Sequence, residues 1–142
     1  MDFIKQFHSG WAYLVILMGV IFVISTLIYA ISKKDTNATI KKIGLFTTIT
    51  FHVQLLIGLV NLIKLAIDVS GAENIMKNDI LRFKLMEHPL IMISAVIFMT
   101  IANAKLKRST TVPMSVPVFA IVSFLLVGLG VFFLYQKQLW LV

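Results

Sequence analysis

Four long apolar stretches constrain this 142-residue chain more than any other feature of its sequence. They cover residues 11–31, 43–67, 85–104 and 113–135, and each approaches the roughly 20 residues that an α-helix needs to cross a bilayer core. With 59% hydrophobic and 13% charged residues, the chain is far more apolar than a soluble domain. We therefore expect an all-α fold, a single integral membrane bundle of four transmembrane helices over residues 1–142.

Basic residues are concentrated in two of the three loops between these stretches. The first and third loops carry seven basic residues and one acidic residue, whereas the rest of the chain carries six basic and five acidic residues. The positive-inside rule places the two basic loops in the cytoplasm. Both termini are therefore expected on the periplasmic side of a bacterial inner membrane. The net charge of +7 then reflects membrane topology, and no nucleic-acid partner is expected.

Several classes of function are disfavoured by residues that the sequence lacks. Cysteine is absent, which excludes disulfides and iron–sulfur clusters. No carboxylate falls within the apolar core of any stretch, since Glu87 precedes the core that begins at Pro89, and this argues against a proton pump or a cation-coupled transporter. Motifs for a nucleophile with its base or for a phosphate loop are missing too, so the chain is not expected to be an enzyme by itself.

The second loop is longer than the other two and has a pattern of its own. Its apolar residues Ile75, Met76, Ile80 and Phe83 fall on one face of a helix. This spacing predicts an interfacial amphipathic helix between the second and third membrane helices. An irregular loop is the alternative.

Three histidines are the candidates for chemistry. A rise of 1.5 Å per residue puts His8 and His88 at similar depth near the outer face, on two helices that run in the same direction. His52 lies roughly 13 Å into the second helix, near the midplane, where no other histidine of the chain reaches its level. The sequence therefore allows one bis-histidine pair within a single chain, formed by His8 and His88.

Two imidazoles from facing helices are a common way to hold haem b in a membrane bundle. We therefore expect haem b as the cofactor, with His8 and His88 as its iron ligands. His52 would tune the site, contact a quinone or ligate a second group. Three basic residues could neutralise the haem propionates at this interface: Lys5, Arg82 and Lys84.

Each of these features also has a structural interpretation, in which no cofactor is bound. His8 could be an ordinary interfacial residue, the sequence Glu87-His88-Pro89 could cap a helix start, and His52 could bond to Thr48 one turn earlier. Polar residues on another face of the second helix could contact a quinone or a partner helix, or bond across the bundle: Thr47, Thr50, Gln54 and Asn61. Lys64 is expected to extend outward to water.

Three segments resemble a group of small four-helix inner-membrane proteins from Bacteroidota that are often labelled cytochrome b-like. The segments are HSGWAYLVIL, IKKIGLFTTITFHVQLLIGLV and LRFKLMEHPLIMISAVIFMTIANAKLKR, with the motifs HSG, FTxxxxHxQLLxGL and RFxxxEHPLxM. The resemblance spans roughly residues 7–108. It implies a haem-binding membrane protein with histidines at the positions of His8, His52 and His88.

The chain departs from this family pattern at one place. Where the family tends to read Gly-His-Ser-Lys, the chain reads Ala102-Asn103-Ala104-Lys105. If that family histidine ligates a haem near the inner face, this chain lacks the ligand, and a second haem site involving His52 is in doubt.

Two functions follow from the sequence. The first is a haem b-binding electron carrier or redox subunit with bis-histidine ligation near the periplasmic face. The second is a haem-free structural or accessory subunit of a larger inner-membrane complex. In either case we expect contacts with the lipid bilayer and with other membrane subunits or further copies of the chain.

Overall fold

The computed structural model describes residues 2–68 and 82–136, and within these residues the chain is helical apart from two short loops. Helix α1 spans Asp2–Ile31 and α2 spans Ala38–Asp68. A π-helical turn over Phe83–Glu87 leads without a break into α3, His88–Arg108, and α4 spans Ser115–Gln136. The all-α bundle expected from the sequence is confirmed. The predicted interfacial helix falls mainly on residues 69–81, outside the described residues.

Each of the four helices is long and apolar enough to cross a membrane. The candidate spans are Gln6–Ile31, Ala38–Asp68, Phe83–Arg108 and Ser115–Phe133. Large apolar side chains also cover the outward surfaces of the bundle, where a soluble protein would carry polar ones, among them Leu17, Ile24, Leu56, Ile63, Leu90, Ile97 and Leu125. The chain is therefore a multi-pass membrane protein whose surface contacts the lipid bilayer.

The helices form a ring in the order α1, α2, α3, α4. Helix α1 packs against α2 and α4, and α3 packs against the same two helices. Helices α1 and α3 therefore lie on opposite sides of the bundle and face each other across its core. The two basic loops meet at one end, where Asp35 pairs with Thr111 and the amide of Thr36 donates to the carbonyl of Thr110 at 2.7 Å.

Polar groups of α2 bond across the bundle to α1, which is one of the alternatives that the sequence left open. The Trp11 indole donates to the Thr50 carbonyl at 2.9 Å, and the Thr47 hydroxyl lies 3.4 Å from the Met18 carbonyl. Gln54 donates to the His8 carbonyl at 2.8 Å. Because hydrocarbon offers no competing hydrogen-bond partners, such bonds fix the register of one apolar helix against the other.

The buried hydroxyl of Ser123 makes a corresponding bond between α4 and α3. It donates to the Ala95 carbonyl at 2.5 Å, whereas Ser94 donates to Leu90 within its own helix. We expect Ser123→Ala to lower the free energy of unfolding by about 1 kcal/mol, the usual size of one interhelical hydrogen bond. Ser94→Ala is the matched control and should change it by less than about 0.5 kcal/mol. Reversible unfolding in mixed micelles, followed by circular dichroism, measures both, and equal effects would contradict the assignment.

Candidate functional site

A cavity of about 410 Å³ lies in the half of the bundle away from the two basic loops. Its size falls within the range of pockets that hold small molecules and cofactors. All four helices and the π-helical turn contribute to its walls, which are mostly apolar. His8 of α1 and His88 of α3 both line the cavity. These are the two histidines that the sequence had paired by their expected depth in the membrane.

His8 enters the cavity beside a glycine of the neighbouring helix. A Cβ atom added to Gly58 would lie 3.0 Å from Cε1 of the His8 ring, closer than ordinary contacts allow. The absence of a side chain at Gly58 is therefore what leaves room for this imidazole. Gln54, one turn earlier on α2, holds the backbone of His8 through its amide and also interacts with the His8 ring. Nδ1 of His8 and Oε1 of Gln54 are both buried, and neither has a partner in hydrogen-bonding geometry among the described residues.

His88 enters the cavity from the opposite side and also lies beside a glycine. A Cβ atom at Gly130 of α4 would lie 3.5 Å from Nδ1 of His88 and would overlap the methyl group of Met92. The ring of Phe83, which is fully buried, lies 5.6 Å from the His88 ring centre. Nδ1 of His88 is buried and has no hydrogen-bond partner among the described residues.

The π-helical turn before His88 has a local cause in the sequence. Pro89 has no amide hydrogen, and its ring would collide with the carbonyl four residues earlier in a regular α-helix. The chain widens instead, and the amide of His88 donates to the carbonyl of Phe83, five residues back. Glu87 does not cap a helix start: its side chain makes no capping bond, and the chain is already helical at Arg82. The capping interpretation of Glu87-His88-Pro89 is therefore wrong.

The widened turn brings together residues that are five positions apart. Such residues are about 140° apart around an α-helix but nearly above one another in a π-helical turn. As a result Phe83 packs on His88, and Arg82 forms an ion pair with Glu87 at 2.9 Å. Short π-helical segments within α-helices often occur at functional sites.

We expect Pro89→Ala to restore α-helical hydrogen bonding and to turn Phe83 away from His88. Because the chain has no cysteine, a single Cys placed at Phe83 reports on this change through its rate of reaction with a maleimide. The rate should rise about tenfold in Pro89→Ala, which corresponds to about 1.4 kcal/mol of lost protection. Ala95→Cys, buried in the middle of α3, is the control and should react equally slowly in both backgrounds. An unchanged rate at position 83 would show that the turn does not depend on Pro89.

His52 is not brought to the cavity. Its side chain is exposed on the outer surface of α2, and its Nδ1 lies 2.8 Å from the carbonyl of Thr48. Because a carbonyl oxygen can only accept, Nδ1 of His52 carries the hydrogen in this bond. The neighbouring Phe51 is buried in the core instead, since successive helical residues point about 100° apart.

The cavity contains two imidazoles, those of His8 and His88, in a mostly apolar lining. Among the described residues no group of three His, Cys, Asp or Glu side chains could hold a metal ion. His8 and His88 are the side chains of this cavity whose ring nitrogens could ligate a metal ion held by a cofactor.

Charged residues line the end of the cavity that is farther from the basic loops. Lys64 and Asp68 of α2 and Lys84 of the π-helical turn all contribute to its wall. Lys64 was expected to extend outward to water, and the structure places it in the wall of the cavity at this end. Arg82 is held by Glu87, and the side chain of Lys5 lies outside the described part of the structure.

Comparisons with protein-family models, with curated proteins and with solved structures find no match to this chain. The geometry of the cavity and the chemistry of its side chains therefore carry the functional argument.

Proposed function

We propose that the chain is a small haem b-binding electron carrier or redox subunit of a bacterial inner membrane, with His8 and His88 as axial ligands near the periplasmic face. The observation that carries the proposal is the meeting of two imidazoles, from helices on opposite sides of the bundle, in one apolar cavity. Nδ1 of His88 is buried without a hydrogen-bond partner among the described residues. A buried polar atom left in this state is costly, and a ligand in the cavity would remove that cost.

The residues around the cavity fit the cofactor in several ways. Gly58 and Gly130 leave space beside the two imidazoles on either side of the core. Val15, Phe51 and Val127 line the cavity with apolar surface, which would exclude water from the metal. Haem b bound here would supply a reversible one-electron iron couple.

The roles of the individual side chains follow from their contacts. Ligation of the iron by His8 and His88 would favour electron transfer over binding of a small substrate at the metal. Gln54 fixes the backbone of His8, and Phe83 with Gly130 confines the ring of His88. Such supporting contacts set the orientation of a ligating imidazole. His52 has no part in this site.

A visible spectrum of the purified protein, dithionite-reduced minus oxidised, tests the proposal. The protein is expressed in cells with ample haem supply and purified in detergent. About one haem b per chain, with the sharp bands of a six-coordinate low-spin haem, is the expected result for two imidazole ligands. A colourless protein from such cells would overturn the proposal.

The second candidate is a haem-free structural or accessory subunit of a larger inner-membrane complex, and one observation favours it. The exposed His52 lies within a membrane-spanning helix, and ionisable residues at such positions usually pair with another group. A neighbouring subunit could supply that group. Colourless protein that co-purifies with large membrane partners, and loses them in His52→Leu, is the result expected for this candidate.

A further inference from the structure

The cavity combines an apolar interior with a charged end. Its wall around His8 and His88 is formed mainly by aliphatic and aromatic side chains. Three charged side chains lie at the end away from the basic loops, and we refer to Lys64, Asp68 and Lys84 together as the charged mouth. Lys64 and Asp68 lie on α2, and Lys84 lies on the π-helical turn.

Lys64 is the member of the charged mouth with the simplest surroundings. It is partly buried, and no carboxylate lies within ion-pair distance of it among the described residues. Lysine stems pack along apolar walls while the ammonium group stays near polar surroundings. Lys64 follows Gly58, which contacts His8, by six residues, so it lies about 9 Å farther along the helix axis. An occupant that contacts His8 could therefore extend to Lys64.

We propose that the charged mouth binds the carboxylate groups of the occupant, so that the cavity selects a flat apolar molecule with a dicarboxylate edge over its neutral analogue. The proposal rests on the haem-binding function proposed above and assigns the direction of the cofactor: its carboxylates face the end away from the basic loops. Lys64 is the binding residue in this proposal.

Asp68 opposes this binding. It lies one helical turn beyond Lys64, on the same side of α2, where side chains four residues apart are neighbours. A carboxylate at this position repels an anionic occupant and competes for the Lys64 ammonium group. Removing its charge should therefore strengthen binding of a dicarboxylate, whereas removing the charge of Lys64 should weaken it.

Metal-free protoporphyrin IX separates this inference from histidine ligation, because it contains no iron. Its binding to the purified full-length protein in lipid nanodiscs is followed by porphyrin fluorescence and compared with that of its dimethyl ester, which has the same ring without the charges. The variants are Lys64→Met, Lys64→Arg and Asp68→Asn. Lys41→Met, at an exposed position beside the first basic loop, is the control.

We expect Lys64→Met to weaken binding of the dicarboxylate about tenfold and to leave binding of the ester unchanged. Lys64→Arg should retain the affinity, Asp68→Asn should raise it severalfold, and Lys41→Met should have no effect. Comparing each variant with wild type for the same probe cancels differences in partitioning between the two porphyrins. Equal weakening of acid and ester in Lys64→Met would overturn the proposal, and so would an unchanged affinity for the acid.

The two proposals fail in different ways. If the purified protein contains bis-histidine haem but Lys64→Met binds the metal-free dicarboxylate as well as wild type does, the charged mouth has no such role and the haem function stands. If the protein contains no haem but prefers the dicarboxylate through Lys64, the haem function fails and the carboxylate site stands. If neither porphyrin binds, the charged-mouth proposal is overturned.

Discussion

Substitution of either His8 or His88 by alanine is expected to remove haem from the purified protein. Both imidazoles line one cavity from opposite sides of the bundle, so loss of either leaves the iron with a single protein ligand. We expect haem content to fall at least about tenfold from about one per chain, since even loss of a group that only supports a ligand costs 10- to 100-fold in metal affinity. A pyridine haemochrome assay measures it. His52→Ala is the matched control and should keep the wild-type content, because His52 is exposed outside the cavity.

Loss of haem through misfolding must be separated from loss of a ligand. His8→Gly and His88→Gly leave a gap in which added imidazole can replace the missing ring, so imidazole should restore the low-spin spectrum in both variants. Far-ultraviolet circular dichroism and size-exclusion chromatography report whether the bundle remains intact. Full haem content in either alanine variant, or equal loss in His52→Ala, would contradict ligation by His8 and His88.

The depth of residues along the membrane could be predicted from the sequence, because the helical rise is fixed and each helix crosses the same bilayer core. This is why His8 and His88 could be paired from the sequence, and both line one cavity. The rotation of each helix about its axis could not be predicted in the same way. A membrane helix is apolar on nearly all sides, so its hydrophobic pattern does not indicate which face points inward.

The directions in which individual side chains of α2 point illustrate this limit on predicting helix rotation. Nothing in the pattern of α2 distinguishes His52, which faces outward, from Phe51, which is in the core. The sequence likewise does not indicate that Lys64 lines the cavity. Gly128 and Gly130 cannot be told apart from the sequence, yet of these two only Gly130 has neighbours within 4 Å of an added Cβ atom.

The π-helical turn illustrates a different limit. Pro89 signals that a regular helix cannot continue unchanged, and a helix start is the usual consequence of such a residue. Here the chain stays helical through a widened turn in which Phe83 packs on His88 and Phe133, contacts that the local sequence does not specify. A proline followed by continued apolar sequence, with Arg82 and Glu87 five residues apart, was the signal that could have indicated it.

Gly44→Ala is expected to be the most destabilising small substitution in the half of the bundle near the basic loops. A Cβ atom at this position would overlap Oδ1 of Asn103 and would lie 3.1 Å from Leu106 and 3.2 Å from Phe22. Leu106 and Phe22 are fully buried, so the new methyl group cannot be accommodated by a shift toward solvent. We expect the free energy of unfolding to fall by about 1–3 kcal/mol, the usual cost of overpacking a core. Gly128→Ala, with no neighbour within 4 Å, is the control and should change it by less than about 0.5 kcal/mol.

A double-mutant cycle locates the origin of this cost. Asn103 stands where the resembling family tends to carry histidine, and here its Oδ1 is buried against Gly44 without a hydrogen-bond partner among the described residues. If the overlap with this side chain dominates, Gly44→Ala should cost about 1 kcal/mol less in the Asn103→Ala background than in wild type, since contacting residues couple by that order. Unfolding of the four proteins in mixed micelles gives the coupling. A coupling near zero would place the cost in the contacts with Leu106 and Phe22 instead, and the close approach of α2 to α3 would then not depend on the residue at position 103.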